Sequence, residues 1–413
     1  MDEITGIVLG NVKLPSENTD MLIPFFQKLQ QDYGDPIACV HDMGKGIIAA
    51  INEVFPLVKD FVCHFHFLRD IGKDLLEHEH SLIRNSLKNY KIRNKLREKR
   101  KQLKELIEND SKLALCLTDC IDSSFSKMEP TIATYILILW ILDSNSELSG
   151  YGFPFDQAHL VFYTRVEKAY TYRKKIKNTT MDNQAMYQLQ KILAVIVNDE
   201  NLKNTIQKMR ENVAIFEQLR KAMRIAIPVE KQGLKDLGKN ISIKSVKTKV
   251  TAFRNSSEFS IKVSKDKAYQ NMQKQIDKYW AKLFAEPITV TTKTGDITTI
   301  QPQRTNNILE QFFRAIKYMY RKKSGRNKLT KTLKAMLADT TLVKNLENPQ
   351  YMEILLKDKN NLVELFAQID VQLVHMELKE NQSEQIMPLH LKKALRKSNF
   401  LTQLIKSIET QSN

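Results

Sequence analysis

The sequence predicts an α/β protein in which helix dominates, with a parallel strand–helix core interrupted by a long all-helical stretch. Three observations predict it. Residues Ile37 to Leu76 (IACVHDMGKGIIAAINEVFPLVKDFVCHFHFLRDIGKDLL) alternate short apolar runs with amphipathic ones. Only 12 Gly and 11 Pro interrupt a chain of 413 residues that is 42% hydrophobic, which leaves room for long helices. A Thr-, Ile- and Val-rich pair of runs, Ile288 to Thr292 and Ile297 to Ile300, returns to strand period just before a basic helix.

Taken in order, Asp2-Glu3-Ile4-Thr5-Gly6 reads as a hairpin turn and Ile7 to Leu14 as a strand with a bulge near Gly10. Ser16 or Asn18 caps a helix through Gln30, with Leu22, Phe25, Phe26 and Leu29 as its buried stripe. The Gly34-Asp35-Pro36 turn leads to an apolar run, Ile37 to Val40, that ends at Asp42. Met43, Gly44 and Gly46 break the chain before a helix with Ile47, Ile48, Ile51 and Val54 on one face, which stops at Phe55-Pro56. Leu57 to Val62 is the second apolar run, and Cys63-His64-Phe65-His66 opens the next amphipathic helix. This order is a parallel βαβ unit. Asp42 thus sits just past the carboxyl end of a parallel strand, where open α/β sheets place their chemistry. A carboxylate there either holds a metal ion or caps the following helix, and these residues alone leave both open.

Tyr90 to Asn109 (YKIRNKLREKRKQLKELIEN) is a strongly basic helix, with Ile92, Leu96, Leu103 and Leu106 as its apolar stripe. It is a solvated face or a nucleic-acid contact. Ser111 to about Ala285 stays helical, with segments near Pro130–Asp143, Asp156–Lys175, Asn183–Val197, Leu202–Ala226 and Ser264–Phe284. Gly150-Tyr151-Gly152-Phe153-Pro154 and Ile227-Pro228 mark connections. After the hairpin around Lys293-Thr294-Gly295-Asp296, Thr305 or Asn306 caps a helix whose buried stripe is Ile308, Phe312, Ala315 and Met319. Glu310, Arg314, Lys317 and Arg321 line another face, and Lys317 to Lys328 (KYMYRKKSGRNK) sets basic residues beside Tyr318 and Tyr320. That composition suits phosphate backbones and stacking.

Lys and Arg number 64 against 47 Asp and Glu, a net charge of +17, which makes nucleic acid the first candidate partner. The densest apolar run, Tyr135 to Leu142, is far too short to cross a bilayer and reads as a buried helix, so no membrane partner is expected. The four cysteines, Cys39, Cys63, Cys116 and Cys120, with no secretory signal, read as reduced thiols of a cytosolic protein. A Gly-rich phosphate loop, an HExxH pair and a serine elbow do not occur in the sequence.

Three pieces together resemble the DDE transposases of the insertion-sequence and Mutator-like kind. They are the strand ending at Asp42 before a helix ending Val54-Phe55-Pro56, the Cys63-x-x-His66 signature before a helix, and Thr305-Asn306-Asn307-x-x-Glu310. The resemblance implies an RNase H-like core interrupted by a large all-α insertion. It implies Asp42 and Glu310 as catalytic, metal-binding carboxylates for Mg2+ (or Mn2+), with Cys63, His66, Asn306 and Asn307 supporting the site. Arg314, Lys317, Arg321, Lys322 and Lys323 are the expected contacts to double-stranded DNA, both transposon ends and target. Homo-oligomers on DNA and a prokaryotic, nucleoid-associated location are expected as well. The expected divisions are 1–90 and 288–335 for the core, 91–287 for the insertion and 336–413 for a C-terminal helical region.

In such a core the first acidic residue precedes the strand placed at Ile7–Leu14. The core is therefore expected to lack its first strands, and this polypeptide is not expected to carry out strand transfer alone. The alternative is a non-catalytic DNA-binding remnant of a transposase. Cys39, His41, Cys63 and His66 are four conceivable zinc ligands, but ligands one residue apart on a strand are unusual, and they are read as structural.

Overall fold

The computed structural model describes residues 1–2, 4–122, 129–176, 184–225, 242–291, 295–324, 338–357 and 359–367. Within these, the side chains of 119–122, 172–176, 307–308, 310–311, 319–320, 323–324 and 338–341 are outside the description. In chain order come α1 (Thr19–Tyr33), β1 (Ala38–His41), α2 (Lys45–Val54), β2 (Lys59–Val62), α3 (His64–Asn89) and α4 (Ile92–Asn109). Then follow α5 (Ser111–Asp122), α6 (Pro130–Leu142), α7 (Ala158–Ile176), α8 (Gln184–Val197), α9 (Glu200–Met223), α10 (Ile243–Arg254), α11 (Ser257–Lys265) and α12 (Lys267–Leu283). A hairpin, β3 (Ile288–Thr291) and β4 (Ile297–Ile300), precedes α13 (Asn307–Ser324), a 3-10 segment (Ala338–Glu347), α14 (Pro349–Leu356) and α15 (Leu362–Phe366).

The chain divides into two compact units, one of Met1–Pro36, Lys45–Pro56 and Asn306–Asn413, the other of Ile37–Gly44 and Leu57–Thr305. In the first, Asn18 caps α1 by accepting from the Met21 N–H at 3.2 Å, and α1 packs on α2. Gly46 permits a close approach there, since a Cβ at that position would lie 2.5 Å from the Glu17 carbonyl oxygen. Phe26 meets Phe55 edge-on at 6.2 Å, and the Gln30 side chain donates to the Val54 carbonyl at 3.2 Å.

The turn at the N-terminus forms as expected, closed by the Asp2 N–H donating to the Ile7 carbonyl at 2.8 Å and the Gly6 N–H to the Asp2 carbonyl at 3.0 Å. The strand expected at Ile7–Leu14 does not form. No described strand runs beside it, and a side chain takes the place of a rung. The Val8 N–H donates to Asn345 Oδ1 at 2.7 Å, and Asn345 Nδ2 donates to the Val8 carbonyl at 2.9 Å. Asn348 Nδ2 likewise donates to the Thr5 carbonyl at 2.7 Å.

In the second unit β1 and β2 pair in parallel, with Ala38 opposite Lys59 and His41 opposite Val62. The long α3 is the centre of the helical mass. Its buried Phe67, Leu68, Ile71, Leu75, Leu76 and Ile83 face α9, α12 and α7. Gly72 lets the chain come close: a Cβ there would sit 2.4 Å from Pro154 Cγ and 2.7 Å from the Phe216 ring. The run YILILWIL lies in a helix, α6, packed among α4, α7 and α8, with Ile138 and Ile141 buried and the rest of the run partly so. On α4 the buried stripe ends at Ile107, with Leu106 about half exposed, because positions 92, 96, 103 and 107 hold one face better than 106 does. Asp266 breaks the segment expected near Ser264–Phe284. It is extended and caps α12 by accepting from the Ala268 N–H at 2.9 Å. The connection at Ile227-Pro228 lies outside the described residues.

Candidate functional site

The carboxyl edge of the β1–β2 pair is built by main-chain bonds. The Cys63 N–H donates to the His41 carbonyl at 2.8 Å, carrying the parallel pairing one step past the strands. Asp42 follows directly and turns the chain toward α2, its Oδ1 accepting from the Gly44 N–H at 3.2 Å. Asp42 is half-buried and makes no ion pair among the described residues.

Cys63, fully buried, holds the extended position just before α3. The next N–H, that of His64, donates to the Arg304 carbonyl at 2.8 Å. The His64 ring is buried, with Nε2 at 2.5 Å from the Leu283 carbonyl. Burial, then the nearby Arg304 guanidinium, pushes this imidazole down to about 3, against the opposing pull of that carbonyl. His64 is therefore neutral, and because a carbonyl can only accept, its proton sits on Nε2. Arg304 Nη1 donates to the Met223 carbonyl at 2.8 Å, and burial followed by Arg224 lowers its guanidinium to about 10. Thr305 beside it is buried.

A second small network lies along the strands. Asp60 Oδ2 is 3.3 Å from His41 Nε2 and accepts from Lys282 Nζ at 2.5 Å. Burial works to raise the Asp60 carboxyl, but Lys282 and His41 outweigh it and hold it below the ordinary range. Burial first, and Asp60 second, push the Cys39 thiol up to about 11. Cys39 is thus a protonated thiol near neutral pH. His66 is half-buried and its ring meets Phe65 edge-on at 5.8 Å. Among the described residues no group of three or more His, Cys, Asp and Glu gathers as a metal ion needs.

Of the residues expected from the sequence, Asp42, Cys63 and His66 lie at or next to this edge in the second unit. Asn306, Asn307 and Glu310 belong to the first unit, Asn307 opening α13 and Glu310 lying in its first turn. The side chains of Asn307, Glu310 and Lys323 are outside the described residues. Arg314, Lys317, Arg321 and Lys322 are exposed on α13. Phe312 is buried as expected, whereas Ala315 is exposed; Ile308 and Met319 are outside the description. His64 and Arg304, which fix the chain before Thr305, were not legible as partners. Their only signal is position, one beside Cys63 and the other just before the Thr-Asn-Asn run.

Residues 3–130, the stretch that contains Asp42, Cys63 and His66, match the family model of the Mutator-family transposases. No curated protein and no solved structure matches the chain.

Proposed function

We propose that this chain acts on double-stranded DNA by two-metal phosphoryl transfer, cutting and joining strands with Asp42 and Glu310 as the metal-holding carboxylates. The observation that carries the reading is the pair of bonds at the carboxyl edge. Cys63 is tied to His41 and His64 to Arg304, so residue 304 lies next to the strand end that bears Asp42. Glu310 follows only six residues later, in the first turn of α13. The donor chemistry of two carboxylates supports Mg2+ or Mn2+, which take hard oxygen ligands. Bound there, such a metal pair activates the attacking oxygen and stabilises the leaving oxygen of an in-line displacement at phosphorus.

Asp42 would be oriented by the Gly44 N–H, and Cys63 and His66 would set the geometry from which α3 leaves the site. Asn306 and Asn307 would start the helix that presents Glu310. The basic face of α13, with Arg314, Lys317, Arg321, Lys322 and Lys323, would hold the DNA backbone. The parts belong to an RNase H-like core at 1–90 and 288–335, a helical insertion at 91–287 and a C-terminal region at 336–413, with oligomers forming on DNA.

Strand joining on DNA with cognate ends, in Mg2+ or Mn2+, by this polypeptide and by a version that also carries the core's first acidic residue, tests the reading. Asp42→Ala and Glu310→Ala are each expected to reduce joining to background while leaving DNA affinity nearly unchanged. A version carrying the first acidic residue that binds DNA but joins none would favour the second reading, a non-catalytic DNA-binding remnant.

A further inference from the structure

The helical unit carries a cationic cluster that the proposed chemistry does not use. His80 on α3 and His159 in the first turn of α7 bring their rings to 5.0 Å, and Phe153 covers His80 at 4.2 Å. Arg84 stands one turn beyond His80 on α3 and is exposed. Arg93, at the start of α4, lays its guanidinium 3.8 Å over the Phe162 ring, with Arg97 one turn further. Among the described residues Arg84, Arg93 and Arg97 make no ion pair. Glu77 is the one carboxylate acting on the cluster's histidines among the described residues, and it already accepts from Ser81 Oγ at 2.8 Å.

We propose that this junction of α3, α4 and α7 binds a backbone phosphate of double-stranded DNA, held by His80, Arg84, Arg93 and His159. Two guanidiniums with no acidic partner, beside two imidazoles that become donors when protonated, form an anion site matched to a phosphodiester. His80 Nδ1 is buried without a hydrogen-bond partner among the described residues. The first turn of α7 adds its positive dipole end.

Burial pushes the His80 imidazole down; Glu77 opposes this and Arg84 adds to it. His159 is pushed down to about 4 by burial first, then by His80, Arg93 and Arg84. Both are thus neutral in the unbound protein near neutral pH. A phosphate reverses the local charge and raises both, so binding takes up protons and tightens as pH falls.

The test is fluorescence anisotropy with a short duplex of arbitrary sequence, without transposon ends and with divalent metal chelated. A failure here leaves the metal chemistry untouched, and the reverse also holds. Wild-type affinity is expected to rise as pH drops from about 7.5 to 5.5. Arg84→Glu is expected to weaken binding several-fold and lower the salt slope by about one. His80→Gln combined with His159→Gln is expected to flatten the pH dependence. Arg84→Gln, milder and at an exposed position, serves if the charge reversal disturbs folding. The proposal is overturned if the Arg84 and histidine variants match wild type in affinity, salt slope and pH response.

Discussion

The main-chain N–H of His64 donates to the carbonyl of Arg304 at 2.8 Å, across a sequence separation that spans the whole helical stretch. This bond ties the start of α3 to the residue that leads into the Thr305-Asn306-Asn307 run. The Arg304 guanidinium fastens the same segment to the end of α9 through the Met223 carbonyl. Replacing Arg304 by Ala removes that bond and is expected to cost about 1–3 kcal/mol in urea unfolding. Lys at the same place should recover only part, since it offers a point charge in place of a planar fork.

The buried histidines set a pH dependence of stability. His64 is lowered to about 3 and His159 to about 4 in the folded protein, both below the ordinary histidine value near 6.5. The unfolded chain therefore binds protons first as pH falls. Their contribution is fully present above about 6.5 and is lost as pH drops through that value toward the folded ones. The urea midpoint should fall steadily from about pH 7 to pH 4, and His64→Gln should shallow that decline. An identical slope in the variant would show that His64 has the same proton affinity in the folded and unfolded chain.

Gly72→Ala tests the close packing of α3 against the Phe153-Pro154 connection and Phe216. With a Cβ placed at 2.4 Å from Pro154 Cγ, something must move, and a loss of about 1–3 kcal/mol is expected in thermal or urea unfolding.

Asn345→Ala removes both partners of Val8 at once. Hydrogen exchange at the Val8 amide should accelerate, with a stability loss of about 1–3 kcal/mol for each group left unpaired. Unchanged exchange would mean that the amide is protected by something other than Asn345.

Reversing Arg314, Lys317, Arg321, Lys322 and Lys323 to Glu should weaken DNA binding. The salt dependence should flatten by about one unit of slope for each backbone phosphate that the protein no longer neutralises. A multiple variant with the wild-type slope would remove α13 as the DNA-binding face.

Much of the architecture was legible because local signals agreed with one another. Ile37–Val40, the Gly44 and Gly46 break and Phe55-Pro56 specify a strand, a turn and a helix stop, and β1, α2 and β2 form there. The hairpin at Ile288–Ile300 forms where Thr, Val and Ile alternate around Gly295. What failed depended on partners distant in sequence. Ile7–Leu14 has strand composition, yet composition cannot say that Asn345 will supply the rung at Val8. Ala315 fits the helical period of a buried stripe but is exposed, since period gives the face and not what covers it. At the site, Asp42 could be placed at a strand end from the sequence alone. The roles of His64 and Arg304 could not, because a long-range main-chain bond leaves no mark on side-chain type.

Diffraction from crystals of the protein with Mn2+ and DNA would test the central claim most directly. The account predicts anomalous density for a metal pair about 4 Å apart, within ligand distance of both the Asp42 and the Glu310 carboxylates. Carboxylates of Asp42 and Glu310 more than about 10 Å apart in the DNA-bound protein, with the metal elsewhere, would contradict it.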